Sequence, residues 1–352
     1  MHEWRIQQGL GFAFAWADFQ STGPASVSGS TRMAIDAAAE IEKICTEVRQ
    51  QVGVVLRRRG LVIAMSGGID SSVCAALATR ALGSSRVLGL ALPEDESDPL
   101  SLRLARGLAE HLGIQLIVEN IGPMLRSCGC YERRDAAVRR VIPEFGPGWR
   151  FKLTIANDQL ERDRLNITFV EVRSPEGAMR RERLPAPEYR EIVAATNFKQ
   201  RVRKMMEYFH ADRLHYAVVG TPNRLEYDQG FFVKGGDGLA DVKPIAHLFK
   251  TQVYELARHL NLPADIIQRV PTTDTFSLPQ TQEEFFFALP IELLDQLLEA
   301  RDRDVDTSVL AAELGLEEAQ VLRAFRDIDR KRGTTRYLHQ PPLLVQPITI
   351  PV

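Results

Sequence analysis

Residues 61–65 read Leu-Val-Ile-Ala-Met, an unbroken apolar run that stops at Ser66-Gly67-Gly68. A strand with one wet face alternates apolar and polar side chains. One that is apolar throughout needs cover on both faces, as strands of a parallel sheet have. Residues 86–92 (RVLGLAL) and 114–121 (IQLIVENI) read as a second and a third strand. Segments with helical spacing alternate with these runs. Residues 34–58 form a long amphipathic helix ended by Gly60, and residues 71–82 a helix stopped at Gly83. Residues 98–112 form a third, with Asp98 as N-cap and Pro99 in its first turn. Strands alternating with helices imply an α/β fold built on a doubly wound parallel sheet.

Past residue 126 the alternation breaks. Residues 126–190 are rich in arginine and proline, and 150–157 and 165–172 read as strands, suggesting an inserted hairpin. A helical pattern resumes at 197, followed by a strand over 216–221 and helices over 250–260, 281–300 and 307–332. The chain therefore divides into an arm and linker (1–33), a first part of the main domain (34–125), an insertion (126–190), a second part (191–300) and a C-terminal helical segment with its tail (301–352). With 352 residues, 45% of them hydrophobic, there is enough material for a buried core plus an insertion.

A formal net charge of −2 gives no global basic field, so nucleic acid is not the expected partner. The apolar residues 10–16 are too few to span a bilayer, and no basic segment precedes them as in a signal peptide. No membrane association is expected. Four cysteines do not make a disulfide scaffold in a chain of this length, which points to reduced thiols and the cytoplasm. Cys128 and Cys130 form an isolated pair with no second pair to complete a zinc set. Cys45 and Cys74 fall on helices as core residues.

The turn after the first apolar run carries the chemistry. A loop there lies at the carboxyl edge of the sheet, where such folds bind ligands. Two glycines let backbone N–H groups approach an anion, and the following helix offers its N-terminus. Ser66, Ser71 and Ser72 add hydroxyls. Neither a Walker A lysine nor the G-x-G-x-x-G fingerprint is present. Asp70 would repel phosphates unless a magnesium ion sat between them. The stretch SGGIDSS resembles the pyrophosphate loop of the N-type ATP pyrophosphatases, the PP-loop superfamily. The resemblance implies an adenine nucleotide alpha hydrolase-like fold and cleavage of ATP between its α and β phosphates.

The second half narrows this. NFKQRVR at 197–203, GTPNRLEYDQGFFVKGGDGLADVK at 220–243, Lys250, PTTD at 271–274 and DRKR at 329–332 follow in order. This series is similar to ammonia-dependent NAD synthetases. The resemblance implies a ligase that adenylates the carboxylate of deamido-NAD and amidates it with ammonia, releasing AMP and pyrophosphate. It also implies ATP and Mg2+ as cofactors. By the same resemblance Ser66, Gly67, Gly68, Asp70, Ser71 and Ser72 hold the pyrophosphate end. Thr221, Lys250 and Thr272 complete the ATP site, and Asp70 and Glu226 hold the metal. Arg201, Lys234 and Asp241 would grip the acceptor acid, Asp237 would lie near ammonia, and Lys331 and Arg332 would close over the site. Asp70, Asp237 and Lys250 carry the expected catalytic roles. Arg201 and Arg203 lie two apart, so one of them at most is expected to reach the site. The resemblance also implies a homodimer. No glutaminase domain is expected, so nitrogen would come from free ammonia or a separate glutaminase partner.

The pattern departs from the family in the acceptor half. Residues 34–58 lack the aromatic usual in that helix, and the nearest aromatic before Asn197 is Tyr189. Arg330 stands where a histidine is usual. Phe231 and Phe232, or Trp149 and Phe151 from the insertion, are the available replacements. These departures keep open an amide ligase for a different carboxylic acid. A tRNA-modifying PP-loop enzyme is a further alternative, resting on the basic insertion and the Cys128–Cys130 pair.

Overall fold

The computed structural model describes residues 33–155, 160, 167–272 and 275–348. The expected arm therefore lies almost wholly outside the described residues. Helix α1 (Ala37–Gln50) is capped by Asp36, whose carboxylate accepts from Ala39 N at 3.0 Å. Its buried residues Ile41, Ile44, Cys45 and Val48 recur at helical spacing and face the core. The helix widens into one π turn over Gln51–Val55 and ends. At Gly60 a Cβ would fall 2.3 Å from the Arg86 carbonyl oxygen, so only glycine fits where the chain enters the sheet.

Strand β1 (Leu61–Ala64), helix α2 (Ile69–Leu82), strand β2 (Val87–Ala91), helix α3 (Pro99–Leu112) and strand β3 (Gln115–Val118) follow the expected alternation. Asp98 caps α3, accepting from Leu100 N at 2.9 Å, with Pro99 in the first turn. Helices α4 (Gly122–Ser127) and α5 (Cys130–Arg139) come next. Strands β4 (Arg150–Ile155), β5 (Thr168–Arg173) and β6 (Met179–Arg183) form a separate antiparallel sheet in the order β4-β5-β6. The 29-residue helix α6 (Ala186–Leu214) returns the chain to the main sheet as β7 (Ala217–Val218). Helices α7 (Arg224–Gln229), α8 (Lys250–His259) and α9 (Ala264–Ile267) precede α10 (Ile291–Asp302), α11 (Thr307–Leu314) and α12 (Glu318–Thr335).

The main sheet runs β3-β2-β1-β7 and every pairing in it is parallel. The chain steps outward from β1 to β3 and then returns to the other side of β1. That reversal opens a crevice beyond the carboxyl ends of β1 and β7. Successive residues of β1 enter different clusters. Leu61 and Ile63 pack with α1, α2 and α8, whereas Val62 packs with Leu88, Leu90 and residues of α6. The all-apolar strand is thus covered on both faces, for the reason its composition gave.

Several expected elements differ. The insertion carries three strands rather than a hairpin. The third, Met-Arg-Arg-Glu-Arg, is largely exposed and charged on both faces, so it has no alternation to read. Helix α6 begins at Ala186, well before 197. The expected helix over 281–300 is broken, because a π turn (Glu283–Phe287) ends at Ala288 with φ +61° and Pro290 follows. The expected helix over 307–332 becomes two at Gly315, which sits in the left-handed region at φ +66°. All four cysteines are free. Cys45, Cys74 and Cys130 are buried, and Cys130 Sγ bonds the Ala195 carbonyl at 3.2 Å. Among the described residues no helix is long and apolar enough to cross a membrane.

Candidate active site

A cavity of about 500 Å³ opens at the carboxyl edge of β1 and β7. Its floor is the turn between β1 and α2. Gly67 has φ +71°, and a Cβ there would meet the Ser101 carbonyl oxygen and Leu104 Cβ at 2.9 Å. Glycine is required for both reasons. Gly68 caps α2 with no side-chain acceptor, leaving the first N–H groups of a 14-residue helix for an anion. Ser66, Gly68, Asp70 and Ser71 line the cavity. Ser66 and Ser71 hydroxyls lie 3.2 Å apart. Gly67 and Ser72 do not line it; Ser72 is fully buried and its hydroxyl donates to the Gly68 carbonyl at 2.8 Å. Both shape the turn.

Asp70 is held from two directions. It pairs with Lys250 at the start of α8, and its Oδ1 accepts from Asn223 Nδ2 at 3.0 Å. Asn223 also caps α7 and forms a capping box with Glu226. Glu226 accepts from Asn223 N at 3.2 Å and from Gln282 Nε2 at 2.9 Å. Burial, reinforced by the neighbouring Asp70 charge, pushes the Glu226 carboxyl up to about 7. Burial alone would lower the Lys250 ammonium, but Asp70 and Glu226 outweigh it and hold it above its ordinary value. Both carboxylates lie at the crevice with one lysine for the two, and a cation bound there would favour the ionised form of Glu226. Magnesium suits such a set, because it commonly takes one or two protein carboxylates and completes its shell with phosphate oxygens and water. Among the described residues there is no cluster of three or more His, Cys, Asp or Glu side chains that could hold a metal ion.

Thr221 and Thr272 line the same cavity. So does Arg269, which bonds the Ser66 carbonyl at 3.3 Å and the Ser101 hydroxyl at 2.9 Å. Nothing in the sequence around Arg269 marks it. Asn223 had a signal in the Asn-x-x-Glu spacing of a capping box.

The acceptor side is less uniform. Arg201, Lys234 and Asp237 line the cavity. Arg203 lines it too, so both arginines reach a cavity wide enough to meet two sides of α6. Lys234 donates to the carbonyls of Tyr337 at 2.8 Å and Gln340 at 2.9 Å. Asp237 accepts from Val233 N at 2.7 Å, and burial raises its carboxyl above the ordinary range. Close by, Lys204 and Glu207 form a buried pair at 2.8 Å that also lines the cavity.

Asp241 does not line it. Its carboxylate accepts from Val218 N at 2.7 Å and Tyr208 Oη at 3.3 Å, holding the end of β7. Lys331 and Arg332 do not line it either. Lys331 pairs with Asp327 at 2.8 Å, and Arg332 bridges Asp228 at 2.8 Å and Asp302 at 2.6 Å. The C-terminal segment still reaches the site, through Tyr337 and Leu338. Trp149 and Phe151 belong to the core under the antiparallel sheet, and Phe151 is fully buried. The aromatic wall comes from Tyr189, Phe231, Phe232, Phe285 and Phe286 instead.

A family model described as NAD synthase matches residues 40–140 and 154–337. The chain is 54% identical over 322 residues to the NH(3)-dependent NAD(+) synthetase of Rhizobium meliloti, covering 92% of this chain and 96% of that one. It is 36% identical over 257 residues to the enzyme of the same name from Thermotoga maritima, covering 71% and 83%. The fold resembles that of an NMN synthetase from Francisella tularensis, with a TM-score of 0.61 at 22% identity over 88% of this chain and 99% of that one. The glycine turn, its two carboxylates and the extent of these matches agree: this chain belongs to the NAD synthase family.

Proposed function

We propose that this chain is an ammonia-dependent NAD+ synthase, a carbon–nitrogen ligase that converts ATP to AMP and pyrophosphate. The observation that carries the reading is the convergence of Asp70, Glu226 and Lys250 on the glycine turn, in a chain so similar to synthetases of that name. In the first step a carboxylate oxygen of deamido-NAD attacks the α-phosphorus of ATP. The bond to the bridging oxygen breaks and pyrophosphate leaves with that electron pair. Charge accumulates on the departing group, so the useful donors are those aimed at it. The N–H groups at the start of α2, the Ser66 and Ser71 hydroxyls and Lys250 have that position. Magnesium, when held by Asp70 and Glu226, would add charge neutralisation at the same phosphates.

In the second step ammonia attacks the acyl carbon and AMP leaves. The nucleophile must be neutral, and one proton is released per turnover. Asp237, whose carboxyl burial raises above its ordinary value, is the carboxylate suited to take that proton. Arg201, Arg203 and Lys234 supply positive charge for the acceptor's phosphates, and the aromatic wall supplies surface for its ring. The reading includes a homodimer. Met205 and Phe209, one turn apart on α6, are about half exposed and offer an apolar face for it. It also includes a cytoplasmic location and ammonia supplied free or by a separate glutaminase. The test is a screen with ATP, ammonium and candidate acids, following AMP. Deamido-NAD is expected to give NAD and AMP in equal amounts; AMP formed with another acid and none with deamido-NAD would refute the assignment.

A further inference from the structure

Lys199 lies on α6 with its side chain 1% exposed. Its ammonium donates to Glu94 at 2.9 Å, to Glu96 at 2.7 Å and to the Thr275 carbonyl at 2.9 Å. Glu94 and Glu96 belong to the segment leaving β2, and Thr275 to the segment that follows Thr272. Both segments form cavity walls, through Pro93, Ser97 and Asp98 on one side and Thr272, Thr275 and Phe276 on the other. One buried cation therefore joins two walls of the site.

Each wall is also braced from outside. Tyr131 donates to Glu94 at 2.6 Å, and Arg134 pairs with Glu96 at 2.6 Å; both residues are on α5. The second wall lies along β4. Phe151 N donates to the Ser277 hydroxyl at 2.9 Å, and Leu278 N donates to the Phe151 carbonyl at 3.0 Å. Lys152 of the same strand pairs with Glu284 at 3.1 Å. A lysine neutralised by two carboxylates has little charge left for a phosphate. Its geometry suits holding, not ligand binding.

We propose that Lys199 is a positioning residue of the ATP site: it ties the segment 93–98 to Thr275 and Phe276 and holds these two walls at the separation the nucleotide needs. The antiparallel sheet buttresses the second segment. Walls ordered beforehand cost the ligand less conformational entropy on binding. This inference rests on the ATP reading above.

The experiment uses Lys199→Met in the full chain. Affinity for α,β-methylene-ATP is measured by calorimetry without acceptor, alongside steady-state KM values and hydrogen exchange. Binding is expected to weaken about tenfold or more, with KM for ATP rising and KM for ammonium unchanged, since only the ATP walls lose their tie. Exchange is expected to quicken in both segments and not in β5. Unchanged affinity and exchange would overturn the proposal. No binding by the unaltered protein would instead refute the ATP reading. Leaving Glu94 and Glu96 buried without their cation endangers folding. The triple variant Glu94→Gln, Glu96→Gln, Lys199→Met removes the tie without that charge, and Arg134 keeps Asp135. If neither variant folds, exchange in the unaltered protein decides: the two segments are expected to open with one free energy, and separate values would overturn the proposal.

Discussion

Two sets of ion pairs in this molecule use similar residue types for opposite ends. At the glycine turn, Asp70, Lys250 and Glu226 face a cavity, and two carboxylates share one lysine. In the C-terminal helices, Lys331 with Asp327 and Arg332 with Asp228 and Asp302 are closed on themselves. The first set opens two carboxylates and one lysine onto the cavity; the second ties α12 to α7 and α10. A buried pair is evidence of binding only where its remaining charge has somewhere to go.

Asp70→Ala is the strongest way to break that comparison. It removes the carboxylate between Lys250 and the phosphates, and pyrophosphate release is expected to fall by about a thousandfold or more. Turnover within tenfold of the unaltered protein would place the chemistry elsewhere.

Glu226→Gln sharpens it through pH. The raised Glu226 means that the folded protein holds a proton the unfolded chain has lost between its ordinary value of 4.5 and about 7. Its contribution to stability is therefore complete below 4.5 and is lost as pH rises through 7. Without metal or nucleotide, the glutamine variant is expected to be more stable than the parent at pH 8 by roughly 1–3 kcal/mol, and not at pH 4.5. Denaturant unfolding in EDTA at both pH values measures this. Magnesium affinity of the parent should rise with pH through 7 and that of the variant should not.

Arg332→Ala is expected to give the smallest change in activity. Losing a partly exposed bridge between two acids should cost about 0.5–1 kcal/mol of stability and leave kcat/KM within about threefold. A tenfold loss of kcat/KM with stability unchanged would move Arg332 into the site and dissolve the distinction between the two sets.

Much of this was legible in the residue order. The apolar runs of β1 and β2 pointed to a parallel sheet because burial on both faces leaves no alternation, and both strands lie where those runs lie; β3 also lies where expected, as a partly exposed edge strand. Asp98 before Pro99 marked the start of α3 because capping is a local matter. Strand β6 was invisible because its charged side chains are exposed and its pairing comes from β5 alone. Local sequence gave Lys199 no mark beyond its place in a basic block, since its partners come from three other parts of the chain.

The linear order alone determined the class of fold and the turn that can cradle an anion, because apolar period, glycine backbone freedom and helix capping act within a few residues. Tertiary structure decided which charges face the crevice. Asp70, Asp241 and Arg332 are alike as charged residues of a motif series, yet only Asp70 of the three lines the cavity. What a charged group does depends on the solvent and partners around it, and those are supplied by segments distant in sequence.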